Sequence, residues 1–400
     1  MLELGSGEGR HMTSNRCLIV VRISLVAACA VIAGCPMSLA PDAASTVVDG
    51  NVNDSNTSDK TSSEPNDTFA QAIAASFDDN GDAFLQGTVS GVGDLDVFSL
   101  GPLARGDRLL IDTSTPGSTL DVSIGVFDGD GKLTYNNDDR GGSTSRFLDA
   151  YADWIVRHDS DAYFLVVTHS AFADPGTLTG TYSVHVQRSS GDDVPAPTSQ
   201  LLLLNFDGGH IDSPTLGNFE LASFDGGDIS PLYEGRTAQM KEIIRFVFEQ
   251  NYERFNVSIL TTDDDPPPPD AKFSIINFGG FNRSVFGIAE SVDLYNADYC
   301  DDAIIYVETF AANVFSFTPT AEELAVAIGN VGSHEAGHLL GLNHVDDDSA
   351  LMDDESSADV FILDQEFKEA PLSDDIMSIG TQDDVLLLME SVGPRAVEGG

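Results

Sequence analysis

The stretch HEAGHLLGLNH, residues 334–344, holds three of the chain's eight histidines within a few helical turns. On an α-helix His334 and His338 lie one turn apart, so their imidazoles project from one face toward one point. Glu335 is rotated by about 100° from His334, which carries its carboxylate beside that point rather than onto it. Gly341 can take the left-handed conformation that ends a helix, and the reversal brings His344 round as a third imidazole. Three histidines with one coordination position open form the donor set of a catalytic zinc site, not a structural one. Zinc bound there lowers the pKa of its water toward about 7. Glu335 is then placed to take that proton and hand it to a leaving amine. A bare HExxH is a weak signal; the extension through Gly341 and His344 makes it specific.

Working outward, Thr320 and Glu323 predict a capping box opening a helix of about 20 residues that runs to Leu340. Upstream, LLLLNFDG (201–208), NVSILTT (256–262), FSIINFGG (273–280) and DDAIIYVETF (301–310) read as strands. MKEIIRFVFEQNYERF (240–255) reads as an amphipathic helix with Ile243, Phe246, Val247 and Gln250 on one face. DDDPPPPD (263–270) can only be a loop. Residues 201–395 are therefore expected to form an α/β (α+β) unit ending in the motif helix.

Residues 64–188 follow another pattern. DVFSL (96–100), RLLIDTS (108–114), VSIGVFD (122–128), YFLVVTH (163–169) and TYSVHVQ (181–187) are short alternating runs parted by Gly/Asp turns. They predict an all-β sandwich. The polar, proline-bearing SSGDDVPAPTSQ (189–200) reads as the linker, which makes the chain multidomain.

Asp and Glu total 65 against 19 Lys and Arg, a formal net charge of −46. Such a chain is repelled by phosphates, so nucleic acid is excluded as a partner. At the N-terminus Arg16 and Arg22 precede the apolar run ISLVAACAVIAG (23–34), too short to span a bilayer and fitting a signal-peptide core. Ile32-Ala33-Gly34-Cys35 resembles the lipobox of bacterial lipoproteins, in which Cys35 becomes the lipidated first residue. Met12 is the expected start, residues 1–35 the signal segment, and the Ser/Asp/Thr/Asn-rich residues 36–63 a disordered tether. With Cys17 and Cys29 removed and Cys35 lipidated, Cys300 alone remains, read as a buried small hydrophobe without a disulfide framework.

HExxHxxGxxH is the signature of the metzincin clan of zinc endopeptidases, and residues 201–390 resemble its matrixin-like bacterial members. The resemblance implies His334, His338 and His344 as zinc ligands and Glu335 as general base. It implies Met352, in DDSALMDD, as the apolar floor beneath the ligands, with Met377 in DDIMSIG as runner-up. SVFGIAESVD (284–293) becomes the edge strand that pairs with an extended substrate, and residues 353–380 wall the pocket beyond the scissile bond. Two departures leave the subfamily open: Val345 follows the third histidine, and no tyrosine follows Met352 at short range. The crowd Asp346, Asp347, Asp348, Asp353, Asp354 and Glu355 reads as a solvated loop or as a negative rim favouring basic or neutral peptides.

EPNDTFAQA (64–72), GDLDVFSL (93–100), IGVFDGDGKL (124–133), NNDDR (136–140) and TGTYSVHV (179–186) look like the bacterial pre-peptidase C-terminal domain, a jelly-roll-like β-sandwich. Its acidic turns suggest structural calcium, with Glu64, Asn66, Asp67, Asp94, Asp96 and Asp138 as candidate oxygen donors. The expectation is an exported, lipid-anchored zinc metalloendopeptidase, monomeric, acting on proteins or peptides. It is held to the cell envelope by its lipid, and Pro36 in place of an aspartate leans toward the outer membrane. The alternative is a surface adhesion or ligand-binding lipoprotein on an inactive peptidase scaffold.

Overall fold

The computed structural model describes residues 60–61, 63–140, 148–311, 313–354 and 357–396. The signal segment with Cys35, nearly all of the tether, and Glu355 of the acidic loop lie outside the described residues. What is described is β-rich, with few helices, in two units.

The first unit is two five-stranded sheets face to face. Its strands are β1 (Lys60–Thr61), β2 (Ile73–Ala74), β3 (Asp82–Val89), β4 (Asp96–Leu103) and β5 (Arg108–Ser114), then β6 (Val122–Asp128), β7 (Leu133–Asn137), β8 (Tyr151–Ile155), β9 (Ser160–His169) and β10 (Gly180–Ser189). One sheet runs β1-β3-β10-β5-β8 and the other β2-β4-β9-β6-β7. Period-2 alternation builds the core: Ala83, Leu85 and Val89 point inward from β3, Leu109 and Ile111 from β5, and they meet Phe98, Ile124 and Leu165 of the facing sheet.

The second unit is a sheet covered on both faces. Its elements are β11 (Gln200–Asn205), the hairpin β12 (Gly209–Ser213) and β13 (Gly217–Leu221), α1 (Gly226–Ile229), α2 (Thr237–Asn251), β14 (Val257–Thr261) and β15 (Ser274–Phe278). Then follow β16 (Gly287–Ala289), β17 (Asp302–Ile305), α3 (Ala321–Leu339), β18 (Glu369–Pro371), β19 (Thr381–Asp383) and α4 (Asp384–Ser391). The sheet order is β14-β11-β15-β17-β16, parallel except for β16, which lies antiparallel at the edge. Along β17, Ala303 and Ile305 join the cluster that contains α2 and α3, while Ile304 joins Ile211, Leu216 and Leu221 of the hairpin region.

Three details depart from the sequence reading. On α2 the buried stripe is Met240, Ile244, Val247 and Phe248, whereas Phe246 is exposed, because the helix rotates Met240 and Phe248 onto α3 and the sheet. The run 301–310 is strand only to Ile305; a 3₁₀ turn, Val307–Ala311, closes it. Cys300 is half-buried rather than buried.

The two units are joined by more than the linker. Leu95, Val97, Phe127, Leu133 and Val166 of the sandwich form one apolar cluster with Leu372 and Met377 of the second unit. Burying those two side chains contributes about 2 kcal/mol each. Lys132 bridges Asp383 at 2.7 Å and Glu369 at 3.1 Å. The Tyr295 hydroxyl donates to Thr134 O at 2.7 Å, and the Arg157 guanidinium stacks 3.8 Å over its ring. His158 sits between Asp128 (3.3 Å) and Glu390 (2.9 Å); those carboxylates push its pKa up to about 9, so it is charged at neutral pH.

Candidate metal centre

Helix α3 is fixed at both ends. Thr320 Oγ1 accepts from Glu323 N at 3.2 Å and Glu323 Oε2 accepts from Thr320 N at 2.7 Å, a closed capping box. From Ala327 to Leu339 every residue is buried, so the helix threads the core instead of lying on it. It stops at Gly341, whose φ of +98° only glycine adopts without strain. A Cβ there would also lie 2.8–3.0 Å from the backbone of Asp293, Leu294 and Tyr295. Gly341 N donates to His338 O and Leu342 N to Gly337 O, at 2.9 and 3.0 Å, which turns the chain back.

The turn brings the three histidines together, each at most 3% exposed. Each ring is oriented through Nδ1: His334 donates to Leu351 O at 2.8 Å, His338 to Leu342 O at 2.7 Å, and His344 to Asp375 Oδ2 at 3.0 Å. With Nδ1 carrying the proton, every Nε2 presents a bare lone pair. His338 Nε2 lies 3.1 Å from Nε2 of both His334 and His344. Burial and mutual proximity push His334 down to about 3 and His338 well below its ordinary value, so both rings are neutral. Three facing lone pairs repel unless a cation sits among them. Tetrahedral zinc, with bonds of about 2.0–2.1 Å, sets its nitrogens roughly 3.3 Å apart. The donor set fits zinc.

Glu335 is 1% exposed and lies against the edge strand β16. Gly287 makes room for it: a Cβ there would sit 2.5 Å from Glu335 Oε1. Burial pushes the carboxyl up to about 8, while the Ala289 backbone amide pulls the other way. A cation held by the histidines would draw it down again. Its Oε1 has no protein partner. Met352 is wholly buried, its sulfur packed on Gly337 between His334 and His338, and its carbonyl accepts from Val345 N at 3.0 Å. Met377 lies instead in the cluster at the junction of the units.

Of the acidic loop, Asp347 pairs with Lys368 at 2.7 Å, Asp353 is buried and accepts from Asp347 N, and Asp354 accepts from Ser373 Oγ at 2.6 Å. Asp346 and Asp348 are exposed. Much of that charge is consumed in holding the loop.

In the sandwich, Glu64, Asp67 and Asp94 each bring an oxygen within 4.8 Å of the others. Beneath them Asn66, wholly buried, donates to Asp96 Oδ1 at 2.7 Å and leaves its own Oδ1 without a protein partner, while Tyr182 donates to Asp96 Oδ2 at 2.6 Å. Asp138 stands apart from this group, accepting from Ser170 Oγ at 2.8 Å. It lines a cavity of about 210 Å³ between the units with Asn136, Asp139, Phe172, Asn343 and Asp375.

Sequence reasoning passed over Asp375, Gln382, Asn343, Asn136 and Gly287. No local signal marks them: the carboxylate that orients His344 is 31 residues away, and the amide facing Asn343 belongs to the other unit.

No protein-family model and no curated protein matches the chain. Among solved structures, the chain is similar to the archaemetzincin of Methanopyrus kandleri at 15% identity, over 42% of this chain and 87% of that one, with a TM-score of 0.24. It is similar to the pre-peptidase C-terminal domain of collagenase from Bacillus anthracis at 13% identity, over 34% and 100%, with a TM-score of 0.21. It is also similar to a periplasmic inhibitor of g-type lysozyme from Aeromonas hydrophila at 14% identity, over 33% and 100%, with a TM-score of 0.23. The functional reading rests on the chain's own residues.

Proposed function

We propose that this chain is a zinc metalloendopeptidase of metzincin type, exported and lipid-anchored through Cys35, with a β-sandwich that carries candidate structural calcium donors ahead of its catalytic unit. The observation that carries the reading is the convergence of three bare Nε2 atoms with a buried carboxylate, Glu335, beside them at a sheet edge. His334, His338 and His344 would hold the ion. Zinc bound there supplies Lewis acidity, acidifying a water and polarising a peptide carbonyl.

The remaining work falls to the chain itself. β16 offers its free edge to an extended peptide, so main-chain hydrogen bonds align the substrate without regard to its side chains. Glu335, at its unpartnered Oε1, takes a proton from the water that attacks the peptide carbonyl and passes that proton to the leaving nitrogen as the C–N bond breaks. Met352 and Leu351 keep the ligand helix from shifting, and the buried surroundings exclude bulk water from the base. A complete set of ligands and base argues against an adhesion protein on a dead scaffold.

The test uses the purified full chain. One zinc per chain and chelator-sensitive cleavage of casein are expected. Glu335→Ala should retain zinc and lose about 10³-fold or more of the rate. A zinc-free wild type, or an active Glu335→Ala, would sink the reading.

A further inference from the structure

The segment that presents His344 is gripped from two sides. From within the catalytic unit, Gln382, wholly buried on β19, clasps the backbone of the preceding residue: its Oε1 accepts from Asn343 N and its Nε2 donates to Asn343 O, both at 2.8 Å. From the other side comes the sandwich. The side chain of Asn343 meets Asn136, on β7, in a two-way amide pair, each Nδ2 donating to the other's Oδ1 at 3.2 Å. Asn343 has no slack: it is 2% exposed, and its Nδ2 is shared with Gln382 Oε1.

We propose that Asn136 is a positioning residue for the metal centre: through Asn343, the β-sandwich sets where His344 presents its Nε2. The proposal rests on reading His344 as a metal ligand, not on the reaction catalysed. His338 is placed by the helix and its own turn, and His334 by the helix and Leu351 O. His344 alone stands beyond the helix end, where its direction depends on the peptide before it. Losing the Asn136 amide leaves Asn343 Oδ1 without its donor and leaves Asn343 Nδ2 to Gln382 alone, and that change falls on residue 343. The sandwich is then part of the framework of the site rather than a tether or a removable segment.

The test measures zinc affinity of the full chain by competition with a chromophoric chelator, beside the visible bands of the cobalt-substituted protein. Asn136→Ala should raise the zinc dissociation constant about tenfold and shift the cobalt bands, which report ligand geometry. Asn136→Asp keeps the size and the acceptor but removes the donor. It should show the same direction of change, and it serves if the alanine variant folds poorly. Tyr295→Phe is the control: it deletes the hydroxyl bond across the same junction without touching Asn343, and zinc affinity should stay within about twofold of wild type. An unchanged affinity in both Asn136 variants overturns the proposal. So does an equal loss in Tyr295→Phe, which would mean that loosening the junction anywhere has the same effect. Wild type that binds zinc beside unaffected Asn136 variants leaves the metal reading standing; wild type that binds none overturns both.

Discussion

Two of the clusters of metal-capable side chains among the described residues, one in each unit, are built on opposite plans. The histidine cluster is buried, and every ring is fixed by a partner on its Nδ1. The acidic cluster of Glu64, Asp67 and Asp94 is exposed or half-exposed, sits on loops, and sets negative charges against each other. The first is held in place by packing and hydrogen bonds that do not depend on an ion. The second is held by backbone amides, Asn66 N donating to Glu64, Leu95 N to Asp67 and Ser90 N to Asp94, and a cation there would offset the repulsion among its carboxylates.

The largest break in that contrast comes from the turn. Gly341→Ala places a Cβ against the backbone of Leu294 and Tyr295 at a φ reserved for glycine. A destabilisation of about 3 kcal/mol or more is expected, with loss of stoichiometric zinc. Urea unfolding and zinc content measure both. Calcium binding to the sandwich should persist where the chain stays folded. A Gly341→Ala chain with wild-type zinc content would show that the turn does not place His344.

A smaller break acts on one ligand. Asp375→Ala removes the acceptor from His344 Nδ1 and frees its ring. Zinc affinity should fall about 10- to 100-fold while the fold survives, since Asp375 is partly exposed. Competition with a chelator gives the number. An unchanged affinity would mean that packing alone orients that ring.

The same contrast explains what could be read from the sequence. The three histidines, Glu335, Gly341 and the capping box at Thr320 are local in the chain, so helical geometry exposes their convergence directly. The sandwich strands were legible where alternation is clean, as in Arg108–Ser114, where the observed strand has the bounds of the run. The α2 stripe was misplaced by a fraction of a turn because Phe246 is apolar yet exposed, and only the position of α3 decides which face is buried. Asp375, Gln382 and Asn136 were invisible because their meaning is a distance in space. Of the acidic donors, Glu64, Asp67 and Asp94 meet, but Asp138 lies at the far side of the sheet, where β9 and β6 intervene between β4 and β7. Acidic turns look alike in sequence whichever end of a sandwich they occupy.

The smallest effect tests the acidic cluster by its pH dependence. The Glu64 carboxyl is raised above its ordinary 4.5, first by partial burial and then by Asp94 and Asp96, with the Asn66 amide opposing. A carboxyl raised on folding contributes stability that is present at low pH and lost as pH climbs through its folded pKa. Without calcium, the melting temperature of the full chain should therefore fall as pH rises through the range above 4.5. With calcium the sign reverses, because the cation prefers the ionised cluster and stabilises the chain more as the carboxyls deprotonate. Glu64→Gln should flatten the first slope and blunt the calcium response, while the histidine cluster keeps its zinc. A slope that survives in Glu64→Gln would belong to other carboxyls. A calcium response of zero in wild type would mean that these three carboxylates are solvated turns that hold no cation.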